Sequence, residues 1–341
     1  MHEARLYEKL GNERVRCHLC AHRCMIADGK RGICEVRENR GGVLRTLVYG
    51  LSISQAVDPV EKKPLFHFFP GSAAFSYATV GCNFRCSFCQ NWTISQTVRE
   101  EGRLIGHEAS PSDLVSAARH HDCKSIAYTY TEPTIFFEYA YDTAVIAARW
   151  NIKSIYVTNG YMTEEMLDAF GPLLDAANVD LKAFSDEFYR TTCGARLQPV
   201  LDAIKAMKER EIWVEITTLV VPGLNDSEEE LGQIAEFITQ EVGIETPWHV
   251  SRFRPEYKMR DQHATPRDTL DRAREIGLDA GLRYVYEGNV PGADGENTIC
   301  YNCHNLLIRR HGFGIVDNLI LPGNKCPYCG VVIDGVGMDG K

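Results

Sequence analysis

The stretch VGCNFRCSFCQNW, Val80 to Trp92, places three cysteines within eight residues, spaced C-x3-C-x2-C. It grows out of AAFSYATVG, an apolar and aromatic run that reads as a β-strand. Gly81 lets the chain turn sharply where that strand ends. Three thiolates on one turn can bind three irons of a cubane 4Fe–4S cluster and leave the fourth iron to an outside ligand. They can also bind zinc, completed by water or by a histidine from elsewhere. The spacing and the place after a strand argue against three merely structural thiols. Phe88 stands between Cys86 and Cys89, where its ring can shield a cluster or stack on a planar ligand. Gln90 and Asn91 follow with amide donors.

Downstream the chain alternates between two periods. KSIAYTY, SIYVTNG, VDLKAF, IWVEITTLVV, HVSRF and LRYVYEG read as strands. PTIFFEYAYDTAVIAARW, TEEMLDAFGPLLDAA, PVLDAIKAMKERE and TPRDTLDRAREIGLDAG read as helices. Two more helices carry start signals: Ser110 with Pro111 and Asp113, and Ser227 with Glu230. Helical crossovers between short apolar strands imply a parallel sheet. Six or seven such units exceed a minimal nucleotide-binding half and imply an α/β fold, a full or partial (β/α) TIM-like barrel, with reacting groups at the strands' C-terminal ends. Cys82, Glu132, Asn159, Asp180, Lys182 and His249 all fall near such ends.

The 341 residues suggest about two domains. A hydrophobic fraction of 44% permits a substantial core. The net charge of −9 argues against a surface built mainly to grip nucleic acid. No apolar run reaches the roughly 20 residues that span a bilayer. The charged start MHEARLYEKLGNERVRCHLC lacks the apolar core of a signal peptide. A cytoplasmic protein with no membrane partner is the expectation. In that compartment 13 cysteines point to metal or redox sites rather than disulfides.

The cysteines divide the chain into three modules. Residues 1–70 form a Cys-rich head of short strands and turns, with Cys17, Cys20, Cys24 and Cys34. These four can hold zinc or an auxiliary 4Fe–4S cluster, with His18 and His22 as alternative ligands. Residues 71–292 form the βα unit. Residues 293–341 carry Cys300, Cys303, Cys326 and Cys329, two C-x2-C knuckles suited to a tetrahedral four-thiolate site. Gly330 fits a tight knuckle whose backbone N–H groups point at sulfur. Zinc, or a single rubredoxin-like iron, would staple a module too small for a core of its own. Cys123 and Cys193 stand apart and read as buried free thiols.

CNFRCSFC resembles the C-x3-C-x-aromatic-C signature of the radical S-adenosylmethionine (SAM) superfamily. The resemblance implies a 4Fe–4S cluster on Cys82, Cys86 and Cys89. SAM then chelates the open iron through its amino and carboxylate groups. A reductant such as flavodoxin or ferredoxin supplies an electron, SAM is cleaved, and a 5′-deoxyadenosyl radical takes hydrogen from a substrate. YTYTEP, Tyr128 to Pro133, is similar to the family's Gly-Gly-Glu-Pro stretch, which holds the SAM amino group. Tyr130 and Thr131 replace the glycines, while Glu132 keeps the carboxylate. An acid favoured by a helix N-terminus is the plainer reading of Glu132. The resemblance gives Asn159 of TNG a ribose or methionyl contact, although TNG is also ordinary turn chemistry.

DLK, Asp180 to Lys182, resembles a SAM-contacting stretch of pyruvate formate-lyase-activating enzyme. On a strand both side chains would share a face and reach one ligand, or pair as a salt bridge. LVVPGLNDSEEEL resembles the same branch, and His249 of PWHVSRF lies where that branch places a histidine near SAM. A hydrogen-bonded wall residue is the alternative for His249. The order of modules, with CHLCAHRC, YTYTEPTIF, NVDLKAF and NTICYNC, is similar to the radical SAM component of the AmmeMemoRadiSam system. That likeness implies Memo-like and Ammecr-like partners. Three readings of function stay open: an activase that makes a glycyl radical on a partner protein, an enzyme that modifies a small molecule, peptide or nucleic acid directly, and a non-enzymatic zinc scaffold.

Overall fold

A computed structural model describes residues 2–290 and 294–340. The expected border between residues 292 and 293 lies outside the described residues. Eight strands form the main sheet: β1 (Ser54–Pro59), β2 (Ala73–Ala78), β3 (Ser125–Tyr128), β4 (Lys153–Thr158), β5 (Ala176–Asp180), β6 (Trp213–Val220), β7 (Trp248–Arg252) and β8 (Val285–Gly288). They lie side by side in chain order. From β2 to β8 every neighbour is parallel; β1 pairs antiparallel with β2. β1 and β8 are the two edges, so the sheet is open. Among the described residues the full barrel of the expectations is not formed: the seven parallel strands and antiparallel β1 make one open sheet. β1 falls inside the segment read as head, yet it belongs to this sheet.

Helices Pro111–His120, Phe137–Ala148, Glu164–Phe170, Gln198–Glu209, Glu228–Phe237 and Arg267–Asp279 link the parallel strands. Ser110 makes the full reciprocal cap expected of it, with Pro111 at the first helical position. Ser227 makes half of one. It accepts from Glu230 N–H, but the Glu230 carboxylate turns away and accepts from Phe184 N–H at 2.7 Å. That bond fixes the loop after β5. Outward-facing Tyr77, Tyr128 and Tyr156 stack edge to face in a row under the helices. Inward-facing Ala74, Ala127, Ile155 and Ala176 near the strand starts are covered by Val60, Leu65 and Phe68.

The head comprises two small antiparallel sheets. Its buried Arg37 donates from both terminal nitrogens to the two carboxylate oxygens of Glu138 in the second crossover helix, at 2.8 and 2.9 Å. The tail is a three-stranded antiparallel sheet, Thr298–Ile299, Leu306–His311 and Gly314–Asn318. It shares an apolar cluster with Phe66, Tyr284 and Tyr286. Among the described residues no helix is long and apolar enough to cross a membrane.

Candidate functional site

The C-x3-C-x2-C loop sits where β2 ends. Gly81 has φ 96°, and a Cβ there would lie 2.7 Å from Val36 Cγ1, so only glycine lets the loop meet the head. Phe84 N–H points at Cys82 Sγ at 3.4 Å, and Cys89 Sγ lies 3.2 Å from Ser95 Oγ. Arg99 anchors the loop by donating to the carbonyls of Cys82 and Ile33. Burial, then Glu132 and Cys86, pushes the Cys82 thiol well up. Among the described residues the three sulfurs do not come within 4.8 Å of one another. Zinc with ~2.3 Å bonds to sulfur needs sulfurs about 3.8 Å apart. A cubane places an iron under each thiolate and holds the sulfurs wider, which suits this set.

Asn83 is the residue the sequence reading overlooked. It is buried, its Oδ1 accepts from Asn159 Nδ2 at 2.8 Å, and its own Nδ2 has no partner. An orphaned buried donor next to Cys82 marks a place for an acceptor, such as a cluster sulfide or a ligand oxygen. Its carbonyl meets His22 Nε2 at 2.9 Å, which ties the loop to the head. Cys193, read as an isolated thiol, is buried as expected but lies against Cys86. The backbone explains this: Arg85 and Ser87 N–H donate to the carbonyls of Cys193 and Thr192 at 2.9 and 3.1 Å. The contact with Cys193 holds the Cys86 thiol low, and burial drives Cys193 high.

Glu132 is a knot. Oε1 accepts from Thr134 N, Thr134 Oγ1 and Thr158 Oγ1 at 3.0, 2.5 and 2.8 Å; Oε2 accepts from Asn159 N at 2.8 Å. Burial raises its pKa while these bonds oppose the rise. The carboxylate thus joins the ends of β3 and β4 and caps the helical turn at Pro133, as the plainer reading held. Tyr130 stands at φ 62°, a left-handed conformation that glycine adopts without cost. Its hydroxyl bonds Asp58 at 2.5 Å, and its carbonyl accepts from Asn91 Nδ2 at 2.9 Å.

Asp180 ends β5, so Lys182 lies beyond the strand rather than on it, contrary to expectation. The chain turns there, with Leu181 N–H donating to Val179 O. The two side chains still meet, at 2.9 Å. Burial opposes the Lys182 charge, but Asp180, Cys86 and Cys193 hold its pKa well above the usual lysine value. Lys182 Nζ lies 5.8 Å from the buried Phe88 ring, which also packs against Phe188. Lysine, aromatic and triad therefore share one corner.

His249 shares a row with Asp180 and Thr217 in the strand register. Its Nε2 is nevertheless held by Glu215 at 2.7 Å, and its ring packs on Phe66 and Tyr286. In this state it is a wall residue.

The family model "Radical SAM superfamily" matches residues 76–238. An uncharacterized protein of Methanocaldococcus jannaschii is 48% identical over 98% of this chain and 99% of its own length. The pyruvate formate-lyase 1-activating enzyme of Escherichia coli K12 is 22% identical over 60% of this chain and 89% of its own. The chain belongs to the radical SAM superfamily. A radical SAM methyltransferase from Sphaerobacter thermophilus shares the fold, with TM-score 0.52, 16% identity, and coverage of 70% of this chain and 71% of that one. Membership implies a 4Fe–4S cluster and SAM, and the donor set around Cys82 fits both. In radical SAM terms Cys82, Cys86, Cys89, Phe88, Asn91, Glu132, Asn159, Asp180 and Lys182 gather at one rim, while His249 is turned toward Glu215.

The tail cysteines Cys300, Cys303 and Cys326 pack in a separate cluster with Phe66, Tyr284 and Tyr286. Cys300 and Cys329 sulfurs are 3.7 Å apart, as are those of Cys303 and Cys326, and all four lie within 4.8 Å of one another. That is the edge of a four-thiolate tetrahedron about one ion. The backbone N–H groups of Asn302 and Cys303 point at the Cys300 sulfur, though burial pushes its pKa up to about 12. Gly330 takes φ 76° at the second knuckle, as expected.

Proposed function

We propose that the protein is a SAM-cleaving activase that generates a radical on a glycine of a partner protein. The observation that carries the reading is the C-x3-C-x2-C triad at the end of β2, bordered by the buried, unpartnered Asn83 amide. A cluster held by Cys82, Cys86 and Cys89 supplies, with one electron from a flavodoxin- or ferredoxin-like reductant, reductive cleavage of SAM to methionine and a 5′-deoxyadenosyl radical.

The remaining residues bind and orient. Lys182, kept cationic by Asp180, is placed to pair with the SAM carboxylate. Asn91 fixes the Tyr130 carbonyl, and Glu132 fixes the loop behind it. That loop then receives the SAM ammonium through backbone carbonyls, with Glu132 as the charge behind them. Asn159 lies beside Cys82 with its main chain locked, in reach of the nucleoside. Phe88 excludes water from the corner. The tail cysteines hold zinc, which staples the ribbon.

The similarity to a pyruvate formate-lyase-activating enzyme supports a protein glycine as target. The order of the three modules supports Memo-like and Ammecr-like partners. The test is anaerobic reconstitution with dithionite and SAM, reading 5′-deoxyadenosine with and without each partner, and a glycine-centred radical by electron paramagnetic resonance (EPR). Partner-dependent radical signal is expected. Deoxyadenosine released with a modified small molecule, and no radical on any partner, would replace the activase by direct modification.

A further inference from the structure

The head cysteines form a third set, and its geometry differs from that of the tail. Cys17, Cys20, Cys24 and Cys34 line one enclosed cavity, floored by Ile135 just after Glu132. Cys17 and Cys34 are buried, and Cys20 and Cys24 are half-buried. Short backbone bonds hold the arrangement: Cys17 N–H donates to Cys24 O at 3.0 Å, and Arg23 N–H to Cys20 O at 3.0 Å. A Cβ on Gly32 would press within 3.6 Å of Cys24 Sγ and 3.2 Å of Ile26 Cδ1, so the wall is built close to sulfur.

Two observations say what the cavity takes. Among the described residues no three of these sulfurs lie within 4.8 Å of one another, whereas all four tail sulfurs do. One zinc would draw four thiolates to about 3.8 Å, the spacing the tail already has. Second, Arg37 lines the cavity, is 2% exposed, and its Nε–H has no partner although both terminal nitrogens are engaged. A buried guanidinium N–H without an acceptor calls for one in the adjoining space.

We propose that the head binds a 4Fe–4S cluster through Cys17, Cys20, Cys24 and Cys34, with Arg37 Nε–H donating to one of its sulfurs. All four irons are protein-ligated, so this cluster leaves no corner for SAM. It stands next to the triad, because His22 of the same cavity wall bonds the Asn83 carbonyl and Cys34 O lies against Gly81.

The assay is iron, zinc and acid-labile sulfide on the full chain after anaerobic reconstitution, since sulfide is absent from zinc and rubredoxin-like sites. Two cubanes predict about eight sulfides per chain. The Cys82→Ala/Cys86→Ala/Cys89→Ala variant should keep about four, with a reduced EPR signal that SAM leaves unchanged. About four sulfides and a second zinc in the wild type, with none in the triple variant, overturn the proposal. About six in the wild type, the count for a two-iron head cluster, overturns it too. The proposal is independent of the triad reading: about four sulfides in both proteins would sink the triad assignment and leave the head cluster standing.

Discussion

Asn159 N–H donates to Glu132 Oε2 at 2.8 Å and so ties the end of β4 to the end of β3. Glu132→Gln keeps one acceptor but sets an NH2 group against an N–H or hydroxyl donor. The expected cost is about 1–3 kcal/mol, read by urea denaturation of the SAM-free protein. An unchanged midpoint with weakened SAM binding would instead make Glu132 a direct ligand and not a knot.

Cys86→Ala should reduce 5′-deoxyadenosine formation to reagent background under dithionite. Cys193→Ala, one contact away, should still assemble the triad cluster and still change its EPR spectrum on adding SAM. Loss of that response would place Cys193 among the ligands.

Cys326→Ala should melt the tail at an expense on the order of several kcal/mol, given how strongly structural zinc is coupled to folding. Its thermal midpoint falls, while SAM cleavage per folded molecule persists. A well-folded Cys326 variant without cleavage would give the ribbon a part in the chemistry.

His67 predicts an acid limb in stability. Its Nδ1–H donates to Asp334 O and its Nε2 accepts from Tyr286 O–H, both at 2.6 Å, so the buried ring is neutral. Burial lowers its pKa from 6.5 to about 4. The unfolded chain therefore binds the extra proton first. Stability is full above pH 6.5 and declines toward pH 4, by roughly 3 kcal/mol if the whole shift counts. Glu296, raised to about 7 by burial, slopes the other way between 4.5 and 7. Comparing wild type with His67→Phe cancels that slope, and the variant should lose the acid limb.

What could be read from the sequence was local. Apolar period, the Ser110 cap and the cysteine spacing are properties of neighbouring residues, and they located seven parallel strands and the triad loop. What escaped depends on distant segments. β1 has weak alternation and becomes a strand only because β2 offers an edge. Asn83 lay inside the quoted motif, but its orphaned amide appears only once Asn159, 76 positions on, takes its other end. Cys193 reaches Cys86 through backbone bonds from a separate loop. His249 is fixed by Glu215 from the next strand, a pairing without a sequence signature. The Asp180–Lys182 face was misjudged because the strand stops one residue before Leu181.

Val60, Leu65 and Phe68 cover the inner face at the strand starts, so approach to the triad is left to the opposite rim and to the gap between the sheet's two unpaired edges. A protein target of the kind proposed would close that approach as it docks, shutting solvent away from the radical.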